Sequence, residues 1–378
     1  MSQSGQVPEV PRIAAPLSLL AAAISLVLVI ATSGDGKGDF AATARAAPSV
    51  KAPPRAEALS SVTIGWVGDT VLGSRHGNPP NGGRELLTGV RRLLREPDVM
   101  IGNLEGVIGT GGAAKCPIGT RNCFAFQAPP IAADTLAWAG FDVMNLANNH
   151  AYDYGAIGLK ETISHLQQYR IDSTGAPNQI TLLERNGISI AVLGFAPYSW
   201  ASRLDDIPAA VALVKRAREA ADVIVVTMHA GAEGTDQMRT PTGPEYAFGE
   251  ARGDTRAFAH AVIDAGAHVV FGSGPHVIRG VERRKSRLIL YSTGNFTGYN
   301  ALPTSGDLAL SALARVEITR AGDTRGGEWI PLRILAPGKP TLDTTPPNSA
   351  ARAADLSSLD FAQPGIRANG QLKAGAAR

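Results

Sequence analysis

Polar side chains that could bind a metal ion or transfer a proton follow five short apolar segments of this 378-residue chain. Each segment is only a few residues long and rich in β-branched residues, which is typical of strands buried on both faces. Parallel strands present their carboxyl ends at one edge of a sheet, so the polar residues that follow should converge. The five segments are Val62–Val67, Val99–Ile101, Phe141–Leu146, Val223–Met228 and Val269–Phe271.

The polar residues at these strand ends carry carboxylates, amides and imidazoles. Oxygen and imidazole donors suit hard or borderline divalent cations, and they also suit acid/base chemistry on an ester, a phosphate or an amide. Asp69 could instead form an Asx turn or cap a helix, and Glu105 could instead pair with a nearby arginine. The polar positions are Asp69, Asn103, Glu105, Asn148, Asn149, His150, His229 and His276.

Six ordered motifs between Val62 and Phe296 resemble the CapA family of capsule synthesis proteins, which is associated with poly-γ-glutamate. That family is similar to the calcineurin-like metallophosphoesterases. The resemblance therefore implies an α/β fold, a four-layer αββα sandwich, with a two-metal site. The motifs are Gly68-Asp69, Gly102–Glu105, Asn145–Gly155, His229–Glu233, Gly274–Val277 and Tyr291–Phe296.

The resemblance also implies a role for each polar residue. His150 would be the acid that protonates a leaving group. Asp153 lies three residues after His150, and this spacing suggests that it could orient His150 or balance its charge. Imidazoles expected from the resemblance are missing at Val71 and Gly274, and Asn103 replaces a bridging aspartate. A donor set richer in oxygen favours Mn, Mg or Fe over Zn, or partial occupancy. The implied metal ligands are Asp69, Asn103, Glu105, Asn149, His229 and His276.

Three further residues near the motifs are candidates for substrate contact. Glu233 is either another metal ligand or a substrate contact, and the sequence does not decide between the two. Arg279 could clamp a phosphate or a carboxylate, or it could be a solvated surface residue. Asn295 could face the same edge of the sheet, or it could satisfy a turn.

Composition and periodicity predict one α/β domain. The chain is 44% hydrophobic, enough to bury a full core, and its net charge of +3 comes from scattered Lys and Arg, so no nucleic-acid surface is indicated. Apolar strands alternate with helical segments, and the hairpin signal at Asn186-Gly187 favours two sheets packed face to face. We predict the domain over residues 61–336 and a disordered or loosely packed tail over residues 337–378.

The N-terminal region predicts a membrane tether. The apolar segment Ile13–Thr32 has about the length that spans a bilayer, so we interpret residues 1–32 as a signal anchor. A cleavable signal peptide is the alternative, because A-x-A-like sites follow downstream. Residues 33–60, rich in Ala, Gly and Pro, predict a flexible linker. The domain would lie on the extracytoplasmic side of the membrane, or be secreted if the segment is cleaved.

Cys116 and Cys123 are the only two cysteines of the chain. A local pair in an exported protein predicts a disulfide that closes a small loop. The alternatives are two free thiols or half of a metal site, and zinc is the weaker option because no second Cys or His pair lies nearby.

Three functions fit these features. The first is an exported protein of poly-γ-glutamate capsule synthesis or export, with a metal-dependent hydrolase-type site that acts on the anionic polymer. The second is a catalytically degenerate module that binds the polymer or other capsule synthesis proteins. The third is an extracytoplasmic phosphoesterase. The residue chemistry alone supports only an anionic or polar substrate beside a metal ion.

Overall fold

The structure, a computed structural model, describes residues 60–74, 76–117, 120, 123–373 and 375. All of these residues belong to one compact unit. The strands within the described ranges are β1 Ser61–Val71, β2 Val99–Leu104, β3 Val107–Ile108, β4 Gln127–Ala128, β5 Val143–Asn145, β6 Asp172–Thr174, β7 Thr181–Arg185, β8 Ile188–Ala196, β9 Ser202–Arg203, β10 Val223–His229, β11 Glu245–Ala247, β12 Glu250–Gly253, β13 Val269–Ser273, β14 Val281–Arg284, β15 Arg287–Leu290, β16 Asn295–Gly298, β17 Leu310–Thr319, β18 Thr324–Leu335, β19 Lys339–Leu342 and β20 Gln371–Leu372. The α-helices are α1 Arg84–Leu87, α2 Arg91–Leu94, α3 Ile131–Ala139, α4 Gly155–Gln168, α5 Ile207–Ala220, α6 Thr255–Ala265 and α7 Ser349–Asp360, and two 3₁₀ turns cover Pro80–Gly83 and Asp307–Ala309.

Two large sheets form the framework of the domain. The nine-stranded sheet has the order β19-β18-β17-β1-β2-β5-β6, with β16 also paired to β1 and β20 to β18. The seven-stranded sheet has the order β14-β15-β13-β10-β8-β7, with β9 paired to β8. The strands β1, β2 and β5 run parallel in the first sheet, and β8, β10 and β13 run parallel in the second. Each sheet therefore has one edge where several carboxyl ends meet.

The two sheets pack face to face through an apolar core. Ile64 and Trp66 of β1 and Val225 of β10 are completely buried in this core. Trp66 stacks on Phe271 of β13 with ring centroids 5.6 Å apart, which joins the two sheets directly. Because side chains alternate along a strand, the neighbouring residues of the same strands face outward.

Helices cover the outward faces of both sheets. Leu87 of α1 and Leu136 of α3 belong to the apolar cluster that includes Met100 of β2. Phe258 of α6 packs in a separate cluster with Val226 of β10. The layers thus run helix, sheet, sheet, helix, and the predicted αββα sandwich is confirmed.

The prediction of a disordered or loosely packed tail after residue 336 is wrong. Strands β19 and β20 extend the nine-stranded sheet by pairing with β18, and α7 buries Ala353 and Leu356 in the core between the sheets. Asn348 caps α7 by accepting hydrogen bonds from the backbone N–H groups of Ala350 and Ala351. The alanine-rich composition of this segment is common to linkers and helices, because alanine is the best helix former as well as a common linker residue.

The predicted signal anchor over residues 1–32 and the predicted linker, apart from its last residue Ser60, lie outside the described residues. Among the residues that the structure does describe, no helix is both long and apolar enough to cross a membrane.

The folded C-terminal segment predicts a contrast between two leucines of the same helix. Leu356 of α7 is 3% exposed, whereas Leu359 is 65% exposed. Leu356→Ala should lower the free energy of unfolding by about 2–4 kcal/mol, because it leaves a cavity between the sheets. Leu359→Ala should change it by less than about 0.5 kcal/mol. Urea unfolding followed by circular dichroism measures both variants, and equal effects would contradict the packing of α7.

Candidate metal centre

Both sheets contribute side chains to one buried site. Asp69 and Asn103 lie in β1 and β2 and Glu105 directly follows β2, whereas His229 is the last residue of β10. Strand β1 does not end at Val67 as expected. It changes its neighbour from β17 to β16, with an irregular register on both sides of Asp69. Such irregularities re-aim a side chain, and here the carboxylate is aimed at the edge shared by both sheets.

Asp69 occupies the centre of the site. Its Oδ1 accepts a hydrogen bond from Asn103 Nδ2 at 2.8 Å and lies 3.5 Å from His229 Nδ1. Its Oδ2 lies 3.1 Å from His276 Nδ1 and accepts a longer bond of 3.4 Å from the backbone N–H of Gly274. Asp69 is completely buried, so an ionised carboxylate here requires these donors.

Glu105 is the most informative residue of the site. It is completely buried, and neither of its carboxylate oxygens has a hydrogen-bond partner. Oε1 lies 3.6 Å from His229 Nε2 and 3.7 Å from His276 Nε2, and His229 Nε2 is likewise buried without a partner. These separations are too long for hydrogen bonds, but they suit ligands that share one cation at about 2.0–2.2 Å.

The Nδ1 atoms of the two histidines are held by neighbouring polar groups, Asp69 among them. His229 Nδ1 lies 3.1 Å from Ser273 Oγ and 3.2 Å from Asn103 Nδ2, and His276 Nδ1 lies 2.7 Å from Asn295 Oδ1. In the tautomers in which each Nδ1–H donates to that oxygen, both Nε2 atoms present lone pairs toward Glu105. Metal-binding histidines are held in this way, so the residues present fit a divalent cation. One ligand atom from each of Asp69, Glu105 and His276 lies within 4.8 Å of the others.

Charges at the site shift the pKa values of its members in opposite directions. Burial would raise the pKa of Asp69, but hydrogen bonds and positive charge from His229 and His276 hold it well below its usual range. Burial and the negative charge of Asp69 raise the pKa of Glu105 well above its usual range. Burial would lower the pKa of His276, but the charges of Glu105 and Asp69 outweigh burial and raise it well above its usual range. The raised pKa values favour the protonated forms of Glu105 and His276, and a bound cation would replace these protons.

Glu233 lies at the more open side of the site. Its side chain is 13% exposed, and Oε2 is 3.7 Å from His276 Nε2. Oε1 pairs at 2.5 Å with the guanidinium of buried Arg252, a residue of β12 that the sequence motifs did not include. Glu233 therefore faces the same space as His276. This position suits either another metal ligand or a substrate contact. The strand-end pattern in the sequence does not identify Arg252, because this residue reaches the site from the separate hairpin of β11 and β12.

Asn103 connects the metal site to the His150 loop. Its Nδ2 donates to Asp69, and its Oδ1 accepts from both Asn145 Nδ2 at 2.8 Å and Asn148 Nδ2 at 3.1 Å. Asn148 Oδ1 in turn accepts from the backbone N–H of His150. Both lone pairs of Asn103 Oδ1 are thus occupied, and the structure gives Asn103 a connecting role in place of the predicted metal ligation.

His150 and Asp153 form the expected pair. His150 Nδ1 lies 2.8 Å from Asp153 Oδ2, so proton transfer to or from a substrate would use Nε2. Burial lowers the pKa of His150, and the carboxylate of Asp153 partly offsets this effect. Neighbouring Asn149 holds its Oδ1 buried without a hydrogen-bond partner, as a ligand atom would be.

The backbone conformation at Gly274 accounts for the absence of an imidazole at this position. It adopts φ +111°, and a Cβ atom built on it would lie 2.9 Å from the backbone N of Ala230. A side chain at this position would therefore strain the backbone and collide with the end of β10. Val71, at the other missing imidazole, is packed in the interior with 1% exposure.

The predictions for Arg279 and Asn295 as substrate contacts are wrong. Arg279 is completely buried and donates to both carboxylate oxygens of Glu245 and to the backbone carbonyls of Gln237 and Ala232. Asn295 is completely buried, with Oδ1 on His276 Nδ1 and Nδ2 on backbone carbonyls. The polar atoms of both side chains are hydrogen-bonded inside the protein. Arg279 thus holds the backbone at Ala232 and Gln237, and Asn295 holds His276.

Comparison with known proteins agrees with the motifs. A family model described as bacterial capsule synthesis protein PGA_cap matches residues 63–299, well over half of the chain. The chain belongs to this family. It is 28% identical over 281 residues to the capsule biosynthesis protein CapA of Bacillus anthracis, covering 68% of this chain and 65% of the relative. It is 28% identical over 202 residues to the PGA biosynthesis protein CapA of Bacillus subtilis, covering 49% of each.

This PGA_cap family member therefore spans about half to two thirds of the length of these relatives. Among solved structures, it is similar to one described as a 5′-nucleotidase from Staphylococcus aureus in complex with α-ketoglutarate. That similarity has a TM-score of 0.41 at 15% identity, and it covers 75% of this chain and 53% of the other.

Metal binding to this PGA_cap protein should be visible as thermal stabilisation that depends on Glu105. Mn²⁺ at about 100 times its Kd should stabilise the wild type by about 2.7 kcal/mol. Glu105→Gln should lose most of this gain, because an amide is a weaker ligand than a carboxylate for a hard cation. Glu219→Gln, at an exposed position of α5, is the matched control and should keep the full shift. A Glu105→Gln variant that responds like the control would contradict the site.

Metal binding should also release protons. Glu105 and His276 have raised pKa values in the metal-free protein, so both retain protons at a pH where the free side chains would have lost more of them. A cation must displace these protons, so its apparent affinity should increase as pH rises, by about tenfold per pH unit for each proton released. Titration calorimetry in buffers of different ionisation enthalpy measures the proton release. Affinity independent of pH between 5 and 8 would be inconsistent with these ligands.

Proposed function

We propose that this chain is an exported protein of poly-γ-glutamate capsule synthesis that uses a metal-dependent, hydrolase-type site to act on an anionic polymer. Membership of the PGA_cap family and the names of its relatives support the connection with the polymer. The chemistry rests on the site itself. The observation that carries it is the cluster of buried, unpartnered ligand atoms on Glu105 and His229 beside the His150–Asp153 pair.

The residues of the site divide the work between binding a cation and moving a proton. A divalent cation held by Asp69, Glu105, His229 and His276 would act as a Lewis acid and lower the pKa of a bound water. His150 would donate a proton from Nε2 to the leaving group, while Asp153 fixes the ring through Nδ1. Substrate would enter on the side of His276, whose side chain is 18% exposed.

The charge of the site bears on the substrate. Three carboxylates, on Asp69, Glu105 and Glu233, lie within 4 Å of the His276 ring, and Arg252 pairs with Glu233. One divalent cation together with Arg252 would neutralise these carboxylates, and a second cation would make the site positive. An anionic polymer is therefore best accommodated with two cations bound, and Asn149 Oδ1, which is buried without a hydrogen-bond partner, would supply an additional oxygen ligand.

A binding module without turnover is the second candidate, and a specific observation favours it. Asn103 cannot bridge two cations, because both lone pairs of its Oδ1 accept hydrogen bonds. Gly274 and buried Val71 also lack ligand atoms. A weaker metal pair would hold a polymer or a capsule synthesis partner without hydrolysing it.

Extracytoplasmic placement is part of the proposal. The Cys116–Cys123 disulfide is present, as predicted, with the two Cα atoms 5.6 Å apart, and such bonds persist in oxidising compartments. The apolar segment Ile13–Thr32 would tether the domain to the cell membrane. A tether on this side of the membrane would bring the site to the polymer as it leaves the cell.

Two histidine variants separate proton transfer from metal binding. His150→Ala should lower turnover by on the order of 10²–10⁴ while bound metal stays nearly unchanged, because its ring pairs with Asp153 and not with the ligands. His229→Ala should lose metal and activity together, because its Nε2 is a ligand atom. Metal analysis and steady-state kinetics on both variants measure this difference.

The substrate panel for these variants contains γ-glutamyl oligomers and a phosphomonoester, each assayed with Mn²⁺, Mg²⁺, Fe²⁺ and Zn²⁺. Turnover of γ-glutamyl oligomers supports the proposal, whereas turnover of the phosphomonoester alone supports a phosphoesterase. Metal-dependent binding of the oligomer with no turnover would support the binding module.

A further inference from the structure

We propose that Lys115 and the Cys116–Cys123 disulfide position the His150–Asp153 pair, although neither Lys115 nor the disulfide is a candidate metal ligand or proton donor. The proposal rests on the proton-transfer role of His150 given under the proposed function. No sequence motif pointed to Lys115, which precedes the loop and lies 35 positions before His150.

Contacts from both sides of the disulfide meet on Asp153. On the N-terminal side of the disulfide, Lys115 Nζ lies 2.7 Å from Asp153 Oδ1, and the backbone N–H of Lys115 donates to the Asp153 carbonyl at 2.7 Å. On the C-terminal side of the disulfide, the backbone N–H of Phe126 donates to Asp153 Oδ2 at 2.7 Å. Asp153 Oδ2 is also the atom that contacts His150 Nδ1. The two ends of one loop therefore hold the carboxylate that orients the imidazole.

The same segment also touches His150 and its neighbour directly. The Phe126 ring centroid lies 4.4 Å from that of His150. Lys115 Nζ donates to the backbone carbonyl of Asn149 at 3.3 Å. Asp153 is completely buried, so the ammonium of Lys115, with a side chain 39% exposed, is the positive charge that compensates its carboxylate from the solvent side.

The disulfide is what keeps these contacts together. Among the described residues between β3 and β4, no helix or strand holds the chain from Gly109 to Phe126. Glu161 fixes the beginning of this stretch by accepting from the backbone N–H groups of Thr110 and Gly111. Phe126 is fixed at the other end, because its carbonyl accepts a hydrogen bond of 3.0 Å from the backbone N–H of Val107. The covalent bond between Cys116 and Cys123 ties Lys115 to this fixed end of the stretch.

Kinetics on the purified full chain test the role of Lys115. Lys115→Met should lower kcat by on the order of tenfold to a hundredfold, with KM and metal content unchanged, because the ring of His150 is no longer held in line. Lys115→Arg should restore most of the loss, since it keeps the charge. Lys160→Met, at an exposed position of α4, is the matched control and should leave kcat unchanged. The double variant Cys116→Ser/Cys123→Ser should lower kcat as Lys115→Met does, while its melting temperature shows that it is folded.

A spectroscopic readout makes the proposal independent of turnover. The Nδ1 proton of His150, bonded to Asp153, should give a downfield proton resonance that exchanges slowly and is assigned by its loss in His150→Ala. The resonance should broaden or disappear in Lys115→Met and in the double cysteine variant, and remain in Lys160→Met. Its persistence in both test variants, or a loss of bound metal along with kcat, would overturn the positioning role. If the wild type turns over no substrate but the resonance responds as stated, the proposed hydrolysis fails and the positioning role stands.

Discussion

The structure depends on how it accommodates negative charge where its two sheets meet. Asp69 and Glu105 are completely buried within reach of the same two imidazoles, and neither oxygen of the Glu105 carboxylate has a hydrogen-bond partner. Leaving such a group in an apolar interior is costly unless a positive charge is added. The surrounding sandwich supplies rigid strand ends, and a cation would supply the charge.

The rigidity of the site follows from where its residues are attached. Asp69 and His229 belong to long parallel strands whose other residues fill the core, and the stack of Trp66 on Phe271 fixes the distance between the sheets. Ligands on strands of different sheets keep their separation only if the sheets cannot slide. The interdigitated core prevents sliding, because packing at this density tolerates few rearrangements.

The candidate metal ligands and His150 are joined by amide side chains and not by charges. Asn103 transmits the position of Asp69 to Asn148, whose carbonyl oxygen holds the backbone of His150. An amide can donate and accept at once, which a bridging carboxylate cannot do. Asn103, which weakens the case for a tight metal pair, therefore strengthens the hydrogen-bonded connection between the candidate metal ligands and the proposed proton donor.

Much of this could be predicted from the sequence alone. The apolar segments and the Asn186-Gly187 turn predicted two packed sheets with helices outside, because period and turn chemistry are local properties. The motifs from Gly68 to Phe296 implied the αββα sandwich through the family resemblance, and the local cysteine pair predicted the disulfide. The C-terminal helix was missed, since an alanine-rich segment is ambiguous until a hydrophobic surface is available to it.

The site was predicted only in part, for a related reason. Strand-end position identified Asp69, Glu105, His229 and His276, because parallel strands bring their ends together. Whether a polar side chain is free or already engaged depends on its spatial neighbours. Only the tertiary structure could therefore show that Arg279 forms an ion pair with Glu245. It alone could also show that Lys115, which is distant from His150 in the sequence, forms an ion pair with Asp153.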